Sequence, residues 1–112
     1  MHVDLAHLDQ LFQNDRALRN EWIELYLQET PQYFEQLTEA HRRGDVQAMT
    51  HAAHDLKPQA VYLGCTRMHA LLSTIEEHAG TRGALACEDA IAELAALRPV
   101  IAEELRTFLQ RA

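Results

Sequence analysis

The stretch His54-Asp55-Leu56-Lys57-Pro58 holds the residues best able to do chemistry, with Gly64 ten residues past the histidine and Glu76 twelve beyond that. On a helix, a lysine three positions after a histidine sits one turn away, on an adjoining face. If Gly64 ends that helix and the next one returns, the two legs nearly cancel at equal rise, and Glu76 comes back level with His54. Neutral imidazole is a good nucleophile at physiological pH. A carboxylate that accepts from Nδ1–H fixes the tautomer and leaves the Nε2 lone pair free to attack an electrophile such as a phosphoryl group. Lys57 would supply a point charge for the phosphoryl oxygens. None of this needs a deep pocket, so it suits a convex helix face that docks another protein.

Such a trio must be carried by helices, and the sequence supplies them. The four glycines stand at 44, 64, 80 and 83, with every long periodic stretch between them. Glycine is a poor helix-interior residue and a good terminator, so these positions are read as boundaries. No segment alternates apolar and polar residues cleanly, which leaves an all-α reading. A short first helix is predicted from about Asp4 to Gln13, with Leu5, Leu8 and Leu11 or Phe12 inward. A second runs from about Asp15 to Arg43 and turns Trp22, Ile23, Tyr26, Leu27, Phe34 and Leu37 inward. Pro31 either kinks it or caps a new helix. Asp45 is the expected N-cap of the third helix. There Val46, Met49, Ala53, Leu56, Ala60 and Leu63 repeat at 3,4,3,4,3 and form a core seam. The fourth carries Met68, Leu72, Ile75 and Ala79 and stops near Gly80. The last, from about Ala84 to Gln110, places Ile91, Leu94, Ile101, Leu105 and Phe108 inward, with Pro99 expected to kink or split it. The predicted fold is an antiparallel four-helix bundle with a short additional N-terminal helix. Trp22 and the three methionines are expected as core filling.

At roughly 100° per residue, the core seam of the third helix centres about 130° from His54, so the imidazole points outward. It shares a strip with Gln47, Thr50, Pro58 and Val61, while Lys57 lies on the border with the core. His51 and Asp55 also point outward, and both read as solvated surface. Plainer readings of the trio stay open. Lys57 can snorkel along the bundle edge, Glu76 can pair with an exposed cation instead of the imidazole, and Val61 and Tyr62 can be scattered surface apolars.

Composition bounds the rest. At 112 residues the chain is one domain spanning 1–112, too short for a kinase domain beside the bundle. Ten Lys and Arg against seventeen Asp and Glu give a net charge of −7, the wrong sign for nucleic acid. No apolar run approaches a membrane span, and the N-terminus lacks a basic-then-apolar signal pattern. Cys65 and Cys87 have no metal-pair spacing and fall at opposite ends of the fourth helix, about 22 Å apart. A disulfide is out of reach at that separation. A reduced, cytoplasmic protein is expected, with no metal and no cofactor.

The run His54–Cys65 (HDLKPQAVYLGC), followed by Glu76, resembles the signature of histidine phosphotransfer (HPt) domains, roughly H-x-L-K-G-x-x-x-x-x-G. His54, Leu56, Lys57 and Gly64 match it, and Glu76 falls where that family often has Glu or Gln beside the histidine. The resemblance implies a phosphoryl carrier without an ATP site, working in multistep phosphorelays. His54 accepts a phosphoryl group on Nε2 from a receiver-domain aspartate and passes it to another receiver. The implied partners are response-regulator receiver domains and a hybrid sensor kinase, met by a monomer, with Thr50, Pro58, Val61 and Gly64 as docking residues. One position departs from the pattern. Where the family usually has a small residue after the lysine, this chain has Pro58. It removes the donor that would bond the His54 carbonyl, so a bend or a water is expected at that turn.

Three rival readings remain. His51 and His54 at i,i+3 could begin a metal site, but no third ligand is placed beside them. His-Asp-Leu-Lys with a nearby proline also resembles the H-box of a histidine-kinase dimerisation domain, in which Asp55 would act as a base. The last rival is a helical interaction module that is never phosphorylated.

Overall fold

The computed structural model describes residues 1–111, and among these there is no strand. The chain forms α1 (Leu5–Leu11), α2 (Arg16–Arg42), α3 (Val46–Leu63), α4 (Thr66–Arg82), a 3-10 turn at Ala84–Cys87, and α5 (Glu88–Gln110). Aspartates start the first three helices. The side chains of Asp4, Asp15 and Asp45 accept from the backbone N–H of His7, Leu18 and Ala48, each satisfying a donor that the first helical turn leaves free. The molecule measures 45 × 20 × 19 Å. Its long dimension is close to that of the 27-residue α2, about 40 Å at 1.5 Å per residue.

Helices α2 to α5 form the bundle, with α3 packed most closely on α4 and α5 closing back against α2. The seam of α3 falls as its period requires: Met49, Ala53, Leu56, Ala60 and Leu63 are buried, while Val46 is half-buried in the first turn. Opposite them α4 buries Met68, Leu71, Leu72, Ile75 and Ala79. From α5 come Ile91, Leu94, Leu97, Ile101, Leu105 and Phe108, and from α2 come Ile23, Tyr26, Phe34 and Leu37. Both cysteines are buried and free. Burial raises the pKa of both thiols above the ordinary value.

Several expectations need correction. Helix α4 does not stop at Gly80 but runs to Arg82 and ends at Gly83, whose φ of 86° suits a terminator. An exposed glycine in a helix costs about 1 kcal/mol. Burial of neighbouring Ala79, whose carbonyl also accepts from the Gly83 N–H, holds the last turn in place. Pro31 and Pro99 split nothing: α2 and α5 are each continuous helices through them. Helix α1 ends at Leu11, and Gln13 and Asn14 take positive φ to turn the chain into α2. Leu8 is the buried residue of α1, Phe12 is half-buried, and Leu11 is exposed. Met49 and Met68 fill the core, but Met1 is exposed and Trp22 is only half-buried. Arg19, which no periodicity marked, is buried and bonds Asp9 at 2.8 Å, tying α2 to α1.

The α3–α4 turn sets the register of the site. Gly64 takes φ 63°, and the Cys65 N–H donates to the Ala60 carbonyl at 3.0 Å, a left-handed cap of Schellman type. The start of α1 lies directly on this turn. The Asp4 N–H donates to the Leu63 carbonyl at 2.9 Å, and His7 Nε2–H donates to the Val61 carbonyl at 2.8 Å. A Cβ at Gly64 would stand 2.7 Å from Asp4 Cβ and 3.1 Å from His7 Cδ2. Gly64→Ala should therefore lose roughly 1–3 kcal/mol from the left-handed conformation alone, with α1 displaced in addition. Urea denaturation of both chains, with hydrogen exchange at Leu8, tests this. An alanine variant as stable as the native chain would remove the role given to Gly64.

Candidate functional site

His54 projects from the solvent side of α3, its side chain 72% exposed, and its ring meets α4 at one point. Nδ1 lies 3.0 Å from Glu76 Oε1, and Lys57 Nζ lies 2.9 Å from Glu76 Oε2. One carboxylate therefore bridges the imidazole and the ammonium, each on its own oxygen. The level computed by counting along the two helices is the level observed. Lys57 and Glu76 are half-buried at the α3–α4 border, while the imidazole stays exposed.

The hydrogen bond from Lys57 does most to hold the Glu76 carboxyl below the usual carboxylate range; burial opposes it, and the bond from His54 adds a lesser lowering. Glu76 is thus ionised at neutral pH and can only accept. Nδ1 must then be the protonated nitrogen of a neutral ring, which leaves Nε2 bearing the lone pair. Sequence reasoning offered two partners for Glu76, the imidazole or a cation, and the structure gives it both. Lys57 does not snorkel free.

The remaining candidates fall around this trio. A shallow concavity is lined by His54, Lys57, Pro58, Val61, Tyr62 and His69. Pro58, Val61 and Tyr62 are exposed, and α3 continues unbroken through Pro58. Tyr62 stacks edge-on against Trp22 with centroids 5.8 Å apart, so this apolar rim is held in position. Thr50 is half-buried and its hydroxyl donates to the Val46 carbonyl. Gly64 is half-buried beneath α1, which supplies a packing reason for the glycine. Asp55 faces away from the concavity, into grooves shared with α2 residues such as Glu29 and Glu35. Sequence reasoning missed His69. The count that levels Glu76 with His54 also levels His69 with Val61, and that was the signal available. Among the described residues no three His, Cys, Asp or Glu side chains converge to hold a metal ion.

The all-α bundle presents a tautomer-fixed imidazole to solvent, with a cation beside it and an apolar rim. Residues 21–112 match the family model described as Hpt domain, and the chain belongs to that family. It is a phosphotransfer module of phosphorelay signalling. Among curated proteins and among solved structures, no match was found. No helix of the described residues is long and apolar enough to cross a membrane.

The bridging carboxylate has a pH signature. Because folding lowers the Glu76 pKa, the stability it contributes is fully present above its ordinary value of 4.5 and is lost as pH falls through the depressed folded value. The pair is only partly shielded from solvent, so the amount is small, below about 1 kcal/mol. The stability difference between the native chain and Glu76→Gln should be full at neutral pH and be lost in acid, once pH falls below the depressed folded value. Denaturation curves at neutral and acid pH check this, and a difference that survives in acid counts against the bridge.

Proposed function

We propose that His54 is the phosphoacceptor of this module, taking a phosphoryl group from a receiver-domain aspartate and passing it to the aspartate of another receiver. The observation that carries the proposal is the 3.0 Å contact between Nδ1 and an ionised Glu76. The Nε2 lone pair attacks phosphorus, the N–P bond forms, and the P–O bond to the aspartyl carboxylate breaks. The electron pair of that bond returns to the departing carboxylate. The ring keeps its Nδ1 proton and becomes cationic, and Glu76 offsets that charge. Reversal of the same steps discharges the group to the second receiver.

Lys57 has a different role. Its Nζ rests on Glu76 in the free protein, one turn from the nucleophile. When phosphoryl oxygens arrive it turns toward them and stabilises their charge. Glu76 is then left to the imidazole alone. The module is a carrier, with no ATP chemistry of its own. Its partners are response-regulator receivers and the receiver of a hybrid sensor kinase, met as a monomer in the cytoplasm. Asp55, turned toward α2, is poorly placed for the base role that the dimerisation-domain reading requires.

Incubation with a phosphorylated receiver should yield label that survives base and is lost in acid. His54→Gln should abolish it and His51→Gln should not; label retained by the His54 variant would falsify the assignment. Lys57→Ala should slow transfer on the order of tenfold to a hundredfold while leaving the helical circular dichroism intact. Loss of helix content in that variant would make Lys57 structural instead. Size-exclusion mass distinguishes the monomer from a kinase-type dimer.

A further inference from the structure

His69 is the residue around His54 that the chemistry above does not use. It lies on α4, seven residues before Glu76, so the two point from nearly the same face about two turns, or 10 Å, apart. Its ring is half-buried in the concavity shared with His54, Lys57, Pro58, Val61 and Tyr62. Unlike His2, His7 and His54, it makes no side-chain hydrogen bond among the described residues. Both ring nitrogens are thus uncommitted, next to an apolar surface and a nucleophile.

The walls of this trough are fixed from outside. Trp22 backs the Tyr62 ring, and Trp22 itself is packed by Tyr26 and Phe12. His7 holds the Val61 carbonyl at 2.8 Å, anchoring the last turn of α3. The trough is therefore formed before a partner arrives, and little ordering cost is left to the encounter. Its two ends differ in chemistry, with the His54 imidazole at one and the spare hydrogen-bonding imidazole of His69, level with Val61, at the other, and Pro58 on the α3 wall.

We propose that His69 is a recognition residue for the receiver partner. In this arrangement a receiver places an apolar side chain over Pro58 and Val61 and an acceptor oxygen against a His69 ring N–H, while its aspartate meets His54. This inference rests on the receiver-transfer reading above. His69 does not touch the reacting atoms, since it lies about two turns away, so it acts on which receiver binds and how tightly, not on the chemical step.

The test measures binding and transfer separately, with a panel of purified receiver domains held in the phosphoryl-like state by beryllofluoride for the binding arm and phosphorylated on aspartate for the transfer arm. His69→Leu keeps the bulk of the ring and removes the donor, and His69→Gln restores a donor. For the receiver that binds the native chain best, His69→Leu should raise Kd about tenfold, the scale of one lost hydrogen bond. Transfer at saturating receiver should stay within about twofold, and His69→Gln should recover most of the affinity. An unchanged Kd in His69→Leu, or a fall in saturated transfer with Kd unchanged, overturns the assignment of His69 and leaves the His54 reading standing. If no receiver binds the native chain, the transfer reading falls and this one with it.

Discussion

A single carboxylate shared across two helices is the interaction on which the site depends. Glu76 belongs to α4, and the imidazole and ammonium that it holds belong to α3. The tautomer of His54 is therefore a property of the α3–α4 register. A slip of one residue rotates a helical side chain by about 100° and would carry Glu76 off the shared face. What prevents the slip is the turn between the helices. The left-handed Gly64, the Cys65-to-Ala60 hydrogen bond and the interlock of Leu56 and Ala60 with Met68, Leu72 and Ile75 leave the pair one fit.

Stability and chemistry are divided between different residues. Each buried Leu or Ile of the seam contributes on the order of 1.5–3 kcal/mol, whereas solvent-exposed ion pairs contribute a fraction of one. His54 and its partners sit on the weak side of that division. A side chain free of packing duty can change its charge or its contacts without disturbing the fold. Helix α1 belongs to the strong side, although it lies outside the four-helix core. Through His7 and Asp4 it fixes the end of α3, and through Asp9 and the buried Arg19 it is itself fastened to α2.

Most of this was legible in the residues because helical period and residue counting are rigid constraints. The 3,4 spacing of Met49, Ala53, Leu56, Ala60 and Leu63 gave the buried face of α3, and equal rise along two antiparallel legs gave the level of Glu76. What escaped had its cause in tertiary contact. Gly80 carries a weak local stop signal that Ala79, anchored in the core, overrides. Pro31 and Pro99 each delete one hydrogen bond, and burial on both sides, Thr30 with Phe34 and Leu97 with Ile101, keeps those helices continuous. Buried Arg19 could not be found from hydropathy, since its burial depends on Asp9 from another helix. The pair of hydrogen bonds that Glu76 accepts was invisible for a similar reason. Counting fixes level, not which of two donors a carboxylate will take.

Pro58 shows how the two sides of that division meet at the reactive turn. It stands four residues after His54, so the His54 carbonyl has no helical N–H to accept from. That loss falls on the solvent face, where water can satisfy the carbonyl, and α3 needs no compensation from the core to continue. Leu56 and Ala60 are buried on either side of it and hold the helix through the gap. In return the pyrrolidine ring gives the trough a rigid apolar wall beside Lys57, where a glycine would give none. The proline therefore leaves the orientation of the imidazole to Glu76 and changes the surface beside it. The orientation of the His54 ring and the shape of the surface beside it are in this way set by different atoms of one helical turn.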